Sequence, residues 1–118
     1  MHRILVKKQS GGIKEKIRLA SSKSESNRAL IINALSGFGG DLQNLSTARD
    51  TQTMIRLLKS ADAVADVLDA GTTMRFLTAY FAITNQSKTM TGTPRMCERP
   101  IGILVDALKS IGCEIEYL

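Results

Sequence analysis

The sequence predicts a mixed α/β (α+β) domain, on three observations. Short β-like runs alternate with helical apolar patterns along the chain, and glycines or prolines punctuate the ends of those patterns. The 118 residues, 43% hydrophobic and 23% charged, also have the balance of a domain that buries a core.

Arg3 to Lys8 and Lys14 to Leu19 are two β-like runs joined by Ser10-Gly11-Gly12, which predicts a hairpin. A helix follows from about Ser24 to Ser36, because Ala29, Leu30, Ile32, Ala34 and Leu35 are apolar and Gly37 and Gly39-Gly40 then interrupt the pattern. Asp41 to Leu45 suits a short strand. Thr47-Ala48-Arg49-Asp50 opens a second helix, with Thr47 and Asp50 as capping oxygens, an apolar face of Met54, Ile55, Leu57 and Leu58, and an end near Ser60. Val64 to Leu68 is a weak strand leading to Gly71-Thr72-Thr73 and a third helix to about Ile83, which buries Leu77 and Phe81. Lys88 to Gly92 reads as a strand, and Pro94 and Pro100 bracket a rigid loop. Pro100 is placed as the first residue of a fourth helix with the stripe Ile101, Leu104, Val105, Leu108 and Ile111, ended by Gly112. Cys113 to Leu118 alternates like a strand; because the sequence stops there without a polar tail, it is read as part of a longer protein.

Several function classes are excluded as expectations. Apolar runs are too short to span a bilayer, and the N-terminus has neither the apolar stretch nor the cleavage site of a secretory signal, so a cytoplasmic location is expected. Cys97 and Cys113 lack metal-ligand spacing and are read as free thiols; no metal or cofactor is expected. The net charge of +5 is local: residues 1–28 carry eight Lys or Arg against two Glu, and the remainder eight against nine acids. With three Phe, two Tyr and no Trp, nucleic-acid binding by this basic arm is the weaker reading.

The candidate chemistry lies at helix starts. Ser22 and Glu25 have capping-box spacing, so Lys23 and Ser24 open the first helix and Arg28 follows. Cations beside the partial positive charge of a helix N-terminus are unfavourable unless an anion binds there. Gly71-Thr72-Thr73 with Arg75 repeats this combination at the third helix, and Arg95 and Arg99 crowd the loop before the fourth. The plainer alternatives are an exposed capped helix for the first motif, a turn glycine at Gly71, and ion pairs of Arg75 or Arg99 with Asp69, Glu98 or Asp106.

Three ordered motifs, Ser22-Lys23-Ser24-x-Ser26-Asn27-Arg28, Ala70-Gly71-Thr72-x-Met74-Arg75 and Gly92-x-Pro94-Arg95-Met96-x-Glu98-Arg99-Pro100, resemble the 5-enolpyruvylshikimate-3-phosphate synthase family. The resemblance implies transfer of the enolpyruvyl group of phosphoenolpyruvate to the 5-hydroxyl of shikimate 3-phosphate, in aromatic amino acid biosynthesis. It implies that Lys23 is catalytic and lies between the two substrates, that Ser24 and Arg28 hold shikimate 3-phosphate, and that Gly71 and Arg95 line the phosphoenolpyruvate subsite. A glycine at position 71 further implies glyphosate sensitivity. The implied fold is part of a lobe shaped as an inside-out α/β barrel of repeated βαβαββ units. Residues 1–19 are assigned to strands of a second lobe, and residues 20–118 to an incomplete lobe of little more than one unit. The remaining lobe is thus an expected partner, and the chain alone is expected to be inactive. Three departures from the family pattern stand out: Ala20 for a usual proline, Asp69 for a usual asparagine, and a stretch from Lys59 to Asp69 shorter than the family's extra strands require.

Two rivals remain. The sister transferase acting on UDP-N-acetylglucosamine is disfavoured because its loop cysteine falls at Pro94 here, while Cys97 is displaced. A nonenzymatic anion- or RNA-binding module would use the basic N-terminus instead.

Overall fold

The computed structural model describes residues 2–118; Met1, the first residue of the predicted arm, lies outside the described residues. Among the described residues, five helices and two strands follow in the order α1 (Lys23–Leu35), α2 (Arg49–Lys59), β1 (Val64–Asp66), α3 (Gly71–Ile83), β2 (Thr89–Thr91), α4 (Pro94–Cys97) and α5 (Gly102–Ser110). β1 and β2 are parallel, with Val64 opposite Thr89, Ala65 opposite Met90 and Asp66 opposite Thr91, and α3 forms the crossover between them. Helix and parallel strand therefore combine as the α/β class requires.

The helices start and stop for legible reasons. The Ser22 hydroxyl accepts from the Glu25 N–H at 3.3 Å, which is the predicted cap of α1. At the other end, Gly37 takes φ +82°, and the N–H groups of Gly37 and Phe38 return to the carbonyls of Ala34 and Asn33. Gly112 ends α5 in the same way at φ +99°, with Gly112 and Cys113 donating to Lys109 and Leu108. α1, α2 and α3 pack side by side, and the core joins Leu30 and Ala34 of α1, Met54 and Leu57 of α2, Leu77, Tyr80 and Phe81 of α3, and Ala65 and Val67 beneath them. α1 is apolar on two sides, but only the side bearing Leu30 and Ala34 is buried; Ile32 and Leu35 remain exposed.

Five expectations are corrected. Arg3 to Lys8 and Lys14 to Leu19 form no strands: Ile4 is 86% exposed, and Val6, Ile13, Ile17 and Leu19 are exposed with it, because no further strand lies alongside to shield a hairpin that is marginal alone. Asp41 to Leu45 is irregular, since Asn44 adopts φ +56° and breaks the extended path. Cys113 to Leu118 is also irregular, for it is not hydrogen-bonded to β2, whose only neighbour among the described residues is β1. α2 is not capped by Thr47 or Asp50: Ala48 is the N-cap, the Ser46 hydroxyl accepts from the Ala48 N–H, and Asp50 is drawn into an ion pair. Finally, the loop between the prolines contains α4, so the proline at a helix start is Pro94, behind a Thr93 hydroxyl that accepts from the Met96 N–H. Helix α5 begins only at Gly102.

Candidate functional site

The starts of α1, α2 and α3 meet at one end of the helical layer. Asn27, one turn into α1, accepts through Oδ1 from the Thr51 hydroxyl of α2 at 2.9 Å. The Thr73 hydroxyl of α3 donates to the Asp50 carbonyl at 3.0 Å. Ser26 Oγ accepts from the Ser46 N–H at 2.9 Å and ties the entrance of α2 to α1. Hydroxyls and amides make these links because they are buried there, and a buried polar group without a partner is costly. Each helix start presents free N–H groups and a partial positive charge of roughly half a unit, so their convergence favours an anion.

Charged side chains ring this junction. Lys23 Nζ lies 3.1 Å from Asp50 Oδ2, with the two side chains 47% and 21% exposed. Arg49 pairs with Asp69 at 3.6 Å, both largely exposed. The Asp69 carboxylate is thus answered by Arg49. Arg75 and Arg99 form no ion pair with Asp69, Glu98 or Asp106; Arg75 donates to the carbonyls of Gly71 at 3.1 Å and Pro100 at 2.8 Å. Gly71 is the first residue of α3 and is buried, with the Arg99 guanidinium against it.

Of the sequence-predicted residues, the structure brings Lys23 and Gly71 to the same end of the layer. Ser24 and Arg28 are exposed and, four residues apart, share a different face of α1. Arg28 borders an apolar groove of about 290 Å³ between α1 and α3, lined by Ile31, Ile32, Phe76 and Tyr80. Arg95 is exposed on α4, and its side chain has no hydrogen-bond or ion-pair partner among the described residues. Sequence reasoning gave Asp50 and Thr51 no place in this junction, because an acid in the first turn of a helix reads as a cap. Asn27, quoted only as part of a motif, was not recognised as the buried link. Its polar side chain amid Ser26, Leu30 and Ala34 was the available signal.

The family model for EPSP synthase (3-phosphoshikimate 1-carboxyvinyltransferase) matches residues 7–66 and 57–118. The chain belongs to the EPSP synthase family. It is 56% identical over 106 residues, 90% of its own length, to the 3-phosphoshikimate 1-carboxyvinyltransferase of Bacteroides fragilis strain YCH46, and covers 26% of that protein. The enzymes of the same name from Burkholderia vietnamiensis and Erwinia tasmaniensis are 38% and 39% identical over alignments covering 86% of the chain and 29% and 30% of theirs. The chain therefore spans about a quarter of the length of the first of these relatives. No solved structure matches it significantly.

These EPSP synthase alignments also bear on the short stretch after α2. Against the Burkholderia relative, 86% of this chain, about 101 residues, occupies 124 alignment positions, so that relative has about twenty residues without a counterpart in this chain. The 106 positions shared with the Bacteroides fragilis relative equal 90% of the chain, which leaves no such gap. The two family-model segments overlap at 57–66, where only residues 60–63 link α2 to β1.

Proposed function

We propose that this chain supplies one wall of the active site of a 3-phosphoshikimate 1-carboxyvinyltransferase, which transfers an enolpyruvyl group from phosphoenolpyruvate to shikimate 3-phosphate in the shikimate pathway. The observation that carries this reading is the meeting of three helix starts beside Lys23 in a member of the EPSP synthase family. Both substrates are anions, and the junction offers them helix N-termini and cations at once. In this reading Lys23 faces both substrates, Ser24 and Arg28 take the shikimate phosphate, and Gly71 with Arg95 borders phosphoenolpyruvate. Lys23 is held by Asp50, so a bound substrate competes with that carboxylate for its ammonium.

The barrel-lobe architecture, the assignment of residues 1–19 to a second lobe and a cytoplasmic location belong to the same proposal. Glyphosate sensitivity of the whole enzyme follows from Gly71, and turnover by this quarter alone is not expected. The test is titration of the chain with shikimate 3-phosphate, followed by the amide resonances of residues 22–28. Saturable shifts lost in Lys23→Ala and Arg28→Ala are the expected result; equal affinity in all three proteins refutes the assignment. RNA binding that falls steeply with salt, with no response to shikimate 3-phosphate, would favour the nonenzymatic rival.

A further inference from the structure

Gly71 has a helical backbone, so its conformation does not demand glycine. Its surroundings do. A Cβ built at position 71 would clash with Nη1 of Arg99 and stand only 2.8 Å from its Cζ. No acid brings Arg99 there, because its guanidinium enters no ion pair among the described residues.

The backbone places it. Arg75 grips the Gly71 carbonyl with one Nη and the Pro100 carbonyl with the other, which straps the residue after Arg99 to the first turn of α3. On its other side Arg99 donates its own N–H to the Met96 carbonyl at 3.1 Å, at the close of an α4 turn capped by Thr93. Arginine suits this strap because its planar fork makes two bonds in fixed directions, which lysine cannot do.

We propose that position 71 is glycine in order to seat the Arg99 guanidinium over the start of α3, with Arg75 as the positioning residue, so that a side chain at 71 acts by expelling Arg99. This rests on the reading in which Gly71 borders phosphoenolpyruvate, and makes Arg99 a specificity-determining residue of that subsite alongside Arg95. Expulsion leaves the fold intact, since the clashing atoms end a flexible side chain and alanine favours a helix more than glycine does. A Gly71 substitution therefore alters the site without unfolding the chain.

The test is nuclear Overhauser spectroscopy on the isotopically labelled 118-residue chain. Contacts between the Arg99 side chain and the Hα of residue 71 are expected in the wild type, lost in Gly71→Ala and weakened in Arg75→Lys, with the amide resonances of α1 and α2 unchanged in both variants. Phosphoenolpyruvate is then titrated into the wild type, Gly71→Ala, Arg99→Ala and the double variant, with the Thr72 and Thr73 amides as the readout. Each single variant is expected to weaken binding about tenfold, as loss of a charge-assisted bond does, and the double variant to bind no more weakly than Arg99→Ala. Persistence of the Arg99 contact in Gly71→Ala, or additive losses in the double variant, overturns the expulsion account. A wild type indifferent to phosphoenolpyruvate, with the contacts as expected, instead overturns the functional reading and with it the role of Arg99 toward the anion.

Discussion

Thr51→Val probes how the helix starts are held together. Thr51 and Asn27 are both 0% exposed, the Thr51 hydroxyl donates to Asn27 Oδ1 at 2.9 Å, and Asn27 Nδ2 has no partner among the described residues. Valine keeps the shape of threonine and replaces the hydroxyl by a methyl group, which neither donates nor accepts a hydrogen bond. Asn27 would then have both ends of its amide unpaired, and stranding a buried polar group costs about 1–3 kcal/mol. Replacing both partners by apolar groups of similar shape removes the stranded atoms, so Asn27→Leu/Thr51→Val is expected to lie within about 1 kcal/mol of the wild type. The assay is urea denaturation of the chain followed by helical circular dichroism, with the two single variants and the double variant forming a cycle. A cost for Thr51→Val below about 0.5 kcal/mol, or a double variant as unstable as Thr51→Val, would refute the reasoning, because the bond would then not be satisfying the Asn27 amide.

Four other outcomes follow from the same structure. Leu77→Ala, at a residue with no exposed surface, is expected to cost about 2–5 kcal/mol in urea denaturation, against no more than about 0.5 for Ile103→Ala on the outer face of α5. Thr93→Ala removes the α4 cap and should cost about 1 kcal/mol by the same assay, with exchange protection of the Met96 amide falling first. A chain beginning at Ser21 is expected to unfold within about 0.5 kcal/mol of the full chain, since residues 2–20 are exposed and hydrogen-bond to nothing among the described residues; a larger loss would mean that the arm packs on the helices. Asp50→Asn removes the carboxylate that competes for Lys23, and calorimetric titration should find shikimate 3-phosphate bound about fivefold more tightly, the scale of one partly exposed ion pair.

Elements defined by local chemistry were legible in the sequence. The Ser22 cap and the glycine stops after α1 and α5 depend on residues within a few positions, so spacing alone reveals them, while α3 begins at Gly71 itself and not after Thr73. Elements defined by distant partners were not. Lys14 to Leu19 and Cys113 to Leu118 have strand-like alternation, but a strand exists only when another chain segment hydrogen-bonds to it, and among the described residues β2 is paired only with β1. The same distinction holds at the site. Lys23 stood out because a cation at a helix start is anomalous by itself, whereas the importance of Asp50, Thr51 and Asn27 lies in contacts across about twenty-five residues of sequence. Asn27 is also where local rules mislead, since a buried amide in a helix gains meaning only from the Thr51 hydroxyl opposite it.

The charge arrangement explains why such a junction can fold before it binds anything. Lys23, Arg49 and Arg99 beside three helix N-termini would repel one another if left uncompensated, and Asp50 and Asp69 offset part of that charge through pairs that remain solvent-accessible. Accessible pairs of this kind are weak, worth about 1 kcal/mol or less each, so under the proposed reading a substrate anion displaces them at little cost. A deeply buried pair would hold the same cations too firmly to exchange. Under the proposed anion-binding reading, placing the acids on α2 and ahead of α3, with Lys23 on α1, predicts that stability changes at Asp50 will be small where binding changes are large.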